Sequence, residues 1–167
     1  MVEIRSATVE DLEEITKIYN EAILKTVATF DTEIKTIDER KKWFKNHGQK
    51  NPILVSTLDG NIIGFASLSK YSSRCAYSDT AELSLYIKKK FQGRGYGKNL
   101  MESIVKEGKK VGLHVIISRI TEGNEKSVYL HKTFGFENVG IMKEVGFKFG
   151  KHLDVILMQK VYKDSKE

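Results

Sequence analysis

The stretch from Thr80 to Val111 constrains the fold of this chain more than any other. Residues 80–87 alternate with a period of two, Leu83, Leu85 and Ile87 on one face and Glu82, Ser84 and Tyr86 on the other, as in a strand. A basic, glycine-rich turn follows, from Lys88 to Gly97. From about Gly97 to Val111, Leu100, Met101, Ile104, Val105 and Gly108 recur at helical spacing, and Gly112 suits the C′ position. Glycine lacks a Cβ and admits positive φ, so the backbone of Gln92-Gly93-Arg94-Gly95-Tyr96-Gly97 can curl and aim successive N–H groups at one anion. The helix that follows adds its N-terminal partial charge. Lys88, Lys89, Lys90, Arg94 and Lys98 ring the turn with positive charge. The segment reads as a pyrophosphate-binding turn; a flexible turn on a basic surface is the plainer alternative.

Two nucleotide motifs are excluded. A Walker A loop needs Gly-Lys followed by Ser or Thr, whereas Gly97-Lys98 precedes Asn99. The dinucleotide fingerprint wants its third glycine one residue later, after the first strand of a parallel unit. Here the preceding strands are hairpin-linked, because Ile53–Leu58 and Ile62–Leu68 flank Asp59-Gly60-Asn61.

The remaining segments complete a mixed α/β domain around one central sheet. Val2, Ile4 and Arg5 open a strand, and Thr8, with Asp11 three residues on, caps a helix carrying Leu12, Ile15, Ile18, Tyr19 and Ala22. Thr36 or Asp38 opens a second helix that bears Trp43 and Phe44 and ends near His47-Gly48. Tyr71 to Asp79 reads as a loop and Val115 to Ile120 as a buried strand. Asn124 caps a short helix to about Phe134, and strands near 139–145 and 153–162 close the chain. The expected order is strand, two helices, three antiparallel strands, helix, strand, helix, two strands.

At 167 residues the chain suits a single domain, and no apolar run reaches the roughly 18–20 residues of a membrane span. One cysteine, Cys75, forms no internal disulfide, which makes the cytoplasm the default location. A net charge of +6 suits a phosphorylated cofactor or a nucleic acid alike. Nucleic-acid binding predicts aromatic residues interleaved with Lys and Arg on an exposed sheet, and no such arrangement is visible. His47, His114 and His152 show no metal-ligand spacing, and no histidine stands near Cys75 in sequence, so it reads as an inert thiol.

With these residues in view, the sequence resembles the GCN5-related N-acetyltransferases over nearly its whole length. Gln92, Gly95 and Gly97 match that family's Gln/Arg-x-x-Gly-x-Gly/Ala turn, and Asn124 with residues 129–136 matches its second signature. It is closer still to the phosphinothricin and methionine sulfoximine acetyltransferase branch. That likeness rests on residues 26–32, Arg74-Cys75-Ala76-Tyr77 before Thr80-Ala81-Glu82, residues 124–136, and Gly146 to Gly150 leading to Leu153-Asp154-Val155. His152 departs from the branch, which commonly has Trp there.

The resemblance implies a mostly antiparallel twisted sheet, splayed between its fourth and fifth strands and flanked by helices. It implies acetyl-CoA as cosubstrate, no metal, a small amino-acid acceptor, direct attack in a ternary complex, and a homodimer without nucleic-acid or membrane partners. Leu85, Tyr86 and Ile87 would offer backbone hydrogen bonds to the pantetheine arm, and Gln92 to Lys98 would hold the pyrophosphate. Asn124, Ser127 and Lys132 would also contact the cofactor. Glu82 is the candidate general base, directly or through water, its pKa raised by partial desolvation; the alternative is a strand glutamate facing solvent or paired with a nearby Lys or Arg. His131 stands where relatives carry a tyrosine general acid, and reads equally as that acid or as a packed or cofactor-contacting histidine. Arg74 would grip an acceptor carboxylate, with Tyr77 and Phe30 walling the pocket. Rival readings are acetylation of a protein N-terminus, polyamine or aminoglycoside, or a non-catalytic acyl-CoA- or RNA-binding module.

Overall fold

Alternation, caps and glycines become local structure in the computed structural model, which describes residues 1–163. Chain order gives β1 (Val2–Ser6), α1 (Leu12–Lys25), α2 (Ile37–Lys45), β2 (Ile53–Leu58), β3 (Asn61–Lys70), β4 (Thr80–Ile87), α3 (Tyr96–Lys110), β5 (Val115–Thr121), α4 (Glu125–Thr133), β6 (Glu137–Lys148) and β7 (Lys151–Val161). This is the order expected from the sequence.

Local chemistry sets the boundaries. The Thr8 N–H donates to Asp11 Oδ2 at 2.8 Å, but a short 3-10 turn over Val9–Asp11 intervenes, so α1 begins at Leu12. Of the two candidate caps for α2, Thr36 serves: its Oγ1 accepts from Glu39 N at 3.2 Å, while Glu39 Oε2 accepts from Thr36 N at 2.7 Å. That helix stops at Lys45, short of the expected His47, whose ring folds back onto the Trp43 carbonyl. Between β2 and β3, Asp59 (φ 49°) and Gly60 (φ 80°) are both left-handed, as a two-residue hairpin turn requires.

The sheet has seven strands in the order β1-β2-β3-β4-β5-β7-β6, and every neighbouring pair is antiparallel except β4–β5. The parallel pair is brief. Thr80, Ala81 and Glu82 align with Val115, Ile116 and Ile117, and beyond Glu82 the two strands part. The expected splay is therefore present.

Each face of the sheet is covered. On one, the α3 stripe of Leu100, Met101 and Ile104 packs with Leu68, Leu83, Ile116 and Met158. On the other, Leu12, Ile15 and Ile18 of α1 pack with Val55 and Phe65. The glycine in the α3 stripe has a steric cause: a Cβ on Gly108 would lie 2.7 Å from the Tyr162 hydroxyl and 2.9 Å from Leu68 Cδ1. That hydroxyl donates to the Val105 carbonyl at 2.5 Å, tying the segment after β7 to α3. Among the described residues, no helix is long and apolar enough to cross a membrane.

Candidate active site

Where β4 and β5 diverge, β4 remains paired with β3 from Ala81 to Ile87. Its backbone groups on the β5 side, beyond Glu82, face no strand. These half-exposed, unpaired backbone groups suit an extended ligand with amides of its own. A cavity of about 530 Å³ opens there, with Glu82, Leu83, Ser84, Leu85 and Tyr86 in its wall. In the same wall, Ser118 Oγ is buried without a hydrogen-bond partner among the described residues.

The glycine turn leads into this edge. Gly93 (φ 77°) and Gly95 (φ 86°) are left-handed, and Gly95 is the N-cap of α3. Neither would bring a Cβ within 4 Å of any atom, so the space above the turn is open. The first N–H in α3 to find a backbone acceptor in the helix is that of Asn99, bonded to Gly95 O, and no cap side chain serves Gly95. The N–H groups of Tyr96, Gly97 and Lys98 are thus the unspent donors of a helix N-terminus. Exposed Arg94 and Lys98 stand beside them. These features fit a pyrophosphate. Gln92 has a different task from its neighbours, because its Nε2 donates to Ile87 O at 2.9 Å and fastens the turn to the end of β4. Tyr86 turns its ring to the opposite face, 5.3 Å from both Tyr19 and Phe65, where burial raises its phenol pKa.

Glu82 does not stand alone. Arg119 of β5 grips it with both prongs, Nε to Oε1 at 2.7 Å and Nη2 to Oε2. The guanidinium pKa is raised by that hydrogen bond and charge, against an opposing desolvation effect. The paired-glutamate alternative thus describes the geometry. Arg119 is not among the site residues expected from the sequence, where residues 115–120 read as a buried strand. The signal was there: Ser118-Arg119 interrupts an otherwise apolar strand.

Asn124 caps α4, its Oδ1 accepting from Ser127 N at 3.3 Å, and Asn124, Ser127 and His131 line the cavity. His131 is buried, edge-on to Phe136, with Nδ1 donating to Ser127 O at 2.7 Å. A carbonyl only accepts, so Nδ1 carries the proton and Nε2 of the neutral ring carries a lone pair. Burial lowers its pKa below the ordinary imidazole value. Lys132 is exposed and faces a smaller, mainly apolar groove beside Asn124 and Tyr129.

The acceptor-side candidates separate. Phe30 lines the cavity, packed so tightly on Gly146 that a Cβ there would lie 2.2 Å from the ring. Arg74 and Tyr77 are not in that lining; they sit on the exposed β3–β4 loop, where Tyr77 stacks edge-on with Tyr71 at 5.3 Å. The short 3-10 turn at Cys75–Tyr77 makes the loop a self-contained ledge. His152 is exposed too, 5.0 Å from Phe147.

The segment bearing Phe30 is strapped down by side chains from three other elements. Thr121 Oγ1 donates to Val27 O at 2.6 Å and buried Lys148 donates to Thr29 O at 2.8 Å. From α1, the Tyr19 hydroxyl donates to Asp31 Oδ2 at 2.6 Å, and burial with this contact pushes its pKa up to about 12. Behind Tyr19, the buried Arg40 guanidinium lies 3.6 Å from the Trp43 ring centroid and 4.7 Å from that of Tyr19. Desolvation pulls its pKa down to about 10.

Known proteins resemble this chain in sequence and fold. The L-methionine sulfoximine/L-methionine sulfone acetyltransferase of Pseudomonas aeruginosa is 36% identical over 158 residues, covering 93% of this chain and 92% of that protein. The phosphinothricin N-acetyltransferase of Streptomyces coelicolor is 35% identical over 158 residues, 92% of each chain. A solved phosphinothricin acetyltransferase from Sinorhizobium meliloti, in complex with acetyl-CoA, superposes with a TM-score of 0.92 at 34% identity, over 96% of this chain and 88% of that one. Residues 4–157 match the family described as the acetyltransferase (GNAT) domain. With its splayed sheet and bare helix N-terminus, the chain belongs to the GNAT acetyltransferase family.

Proposed function

We propose that the cleft moves an acetyl group from acetyl-CoA to the amino group of a small amino acid or analogue, of the phosphinothricin and methionine sulfoximine kind. The amine attacks the thioester directly in a ternary complex, with residues 1–167 acting as one catalytic domain. The observation that carries this reading is the continuity of the site. The unspent N–H groups at the start of α3 lead along the bare edge of β4 to the Glu82–Arg119 pair, on a chain whose relatives are named for acetylating such compounds.

In this reading the turn from Gln92 to Lys98 holds the pyrophosphate, with Gln92 as its fastening. Leu85, Tyr86 and Ile87 bond the pantetheine arm through their backbone, and a backbone N–H there polarises the carbonyl. Asn124, Ser127 and Lys132 flank the cofactor. His131 is a cofactor contact rather than the general acid, because its neutral ring offers a lone pair at Nε2 and no proton. Glu82 orients the incoming ammonium, and Arg119, whose Nε and Nη2 are held by Glu82, adds positive charge beside the acceptor carboxylate.

A homodimer is part of this reading. The edge strand β6 exposes Val139, Ile141, Val145 and Phe147, an apolar stripe that a second copy would cover, while Arg74 and Tyr77 reach across from their loops to complete a neighbouring pocket. A cytoplasmic site of action suits the exposed free thiol of Cys75.

The test is free-thiol release from acetyl-CoA with amino acids, phosphinothricin and methionine sulfoximine, each set beside its carboxamide. The carboxylates are expected to be turned over and the carboxamides much less so. Equal rates for acid and amide, or a preference for polyamines or aminoglycosides, would overturn the acceptor class.

A further inference from the structure

An ammonium must lose a proton before it can attack a thioester, and Glu82, the nearest carboxylate, already accepts from Arg119 at each oxygen. A second group stands next to it. Ser69 lies directly across the β3–β4 pair from Glu82 and lines the same cavity. Its Oγ is 3.0 Å from Nε2 of His47, just beyond the end of α2. The polarity of that contact is fixed from behind. His47 Nδ1 is 2.7 Å from the Trp43 carbonyl, which can only accept, so Nδ1 holds the proton and Nε2 accepts from the Ser69 hydroxyl. Ser69 therefore spends its proton on His47 and turns lone pairs towards the cavity.

We propose that Ser69 and His47 form a proton relay that deprotonates the acceptor ammonium, a role that rests on the acetyl-transfer reading of the site. The ammonium N–H bond breaks as its proton passes to Ser69 Oγ, while the Ser69 hydroxyl proton moves to His47 Nε2. The amine is left neutral with its lone pair free, and His47 becomes an imidazolium that sheds the proton to water along its half-exposed edge. Burial, with the nearby positive charge of Arg40, holds His47 below the ordinary imidazole pKa, while its bond to the Trp43 carbonyl works the other way. The ring is thus neutral and ready at pH 7. Arg40 on α2 is the charged group acting on it, Trp43 packs edge-on at 4.5 Å, and Ser69 faces it from β3. His47 works through Ser69, so it is a positioning and relay residue and not one that touches substrate.

The experiment is the pH dependence of kcat for wild type, Ser69→Ala, Ser69→Thr and His47→Gln. Wild-type kcat should fall as pH drops below the ordinary imidazole value of about 6.5, because a protonated His47 takes no further proton. His47→Gln and Ser69→Ala should lower kcat roughly 100-fold, the low end of a general-base contribution, flatten that acidic limb, and leave KM for acetyl-CoA unchanged. Ser69→Thr keeps the hydroxyl and should retain most activity. Wild-type kcat and pH profile in either His47→Gln or Ser69→Ala overturn the relay alone, whereas a wild type silent on every acceptor overturns the acetyl-transfer reading. Independently of turnover, ¹⁵N spectra near neutral pH should show His47 as the Nδ1–H tautomer, with its Nε2 signal shifted by Ser69→Ala. An Nε2–H tautomer overturns the relay.

Discussion

Single side chains do most of the positioning in this site, and two of them separate chemistry from packing. Glu82 holds Arg119 by two charge-assisted bonds while lining the cavity, so Glu82→Gln keeps the shape and removes the charge. The expected result is a kcat lowered by at least about 10-fold with acetyl-CoA affinity by calorimetry nearly unchanged; unchanged turnover at saturating substrates would remove Glu82 from the mechanism. Gly146 tests packing. Its missing Cβ is where the Phe30 ring sits, so Gly146→Ala should cost about 1–3 kcal/mol by urea denaturation and raise the acceptor KM as Phe30 is displaced. A variant of native stability and KM would show that the ring moves aside freely. Glu82, Phe30 and His131 were visible in the sequence because motifs mark them. Arg119 and Ser69 were not, because they meet Glu82 and His47 only through strand pairing and helix docking across 37 and 22 residues.

At the scale of elements, the unit from β4 to α3 was legible almost residue by residue. Its alternation, glycines and helical stripe are local signals, and local signals survive folding when tertiary packing agrees with them. How the acceptor wall is held was not legible, because residues 26–36 form an irregular segment held by partners scattered over α1, β5 and β6. Lys148 is the most telling of these straps. Replacing it by Met fills similar volume but leaves the Thr29 carbonyl unpaired, a loss of about 1–3 kcal/mol if no water repairs it. Hydrogen exchange should quicken across residues 26–36 in Lys148→Met while α3 and the cofactor turn keep native protection. Faster exchange spread evenly over the sheet would mean that Lys148 supports the whole fold rather than this wall.

For the whole molecule, the splay that opens the site also divides the sheet, and its β1 end is tied down by charge. On the α1 side, Asp11 is gripped by Arg5 at 2.6 and 2.8 Å and accepts from Thr8, joining β1 to the start of α1. The hydrogen bond from Arg5 leads in holding the Asp11 pKa below its ordinary value. A depressed carboxyl contributes stability above its unfolded pKa, about 3.9, and loses it as pH falls through the lower folded value. Wild-type stability should therefore drop on acidification through that window. Asp11→Asn, which keeps an acceptor but no charge, should be less stable at neutral pH and show a shallower acid loss. Parallel stability–pH curves for the two proteins would show that the pair does not couple folding to protons.

Catalysis here turns on direct transfer from the thioester to an amino acid held where β4 and β5 part. Mass spectrometry of a single-turnover mixture of enzyme, acetyl-CoA and methionine sulfoximine follows the acetyl group itself. Acetyl on the α-nitrogen of the amino acid, with none retained on the protein, is the predicted result. Acetyl lodged on Cys75 or another side chain, or acetyl-CoA left intact while bound, would contradict it.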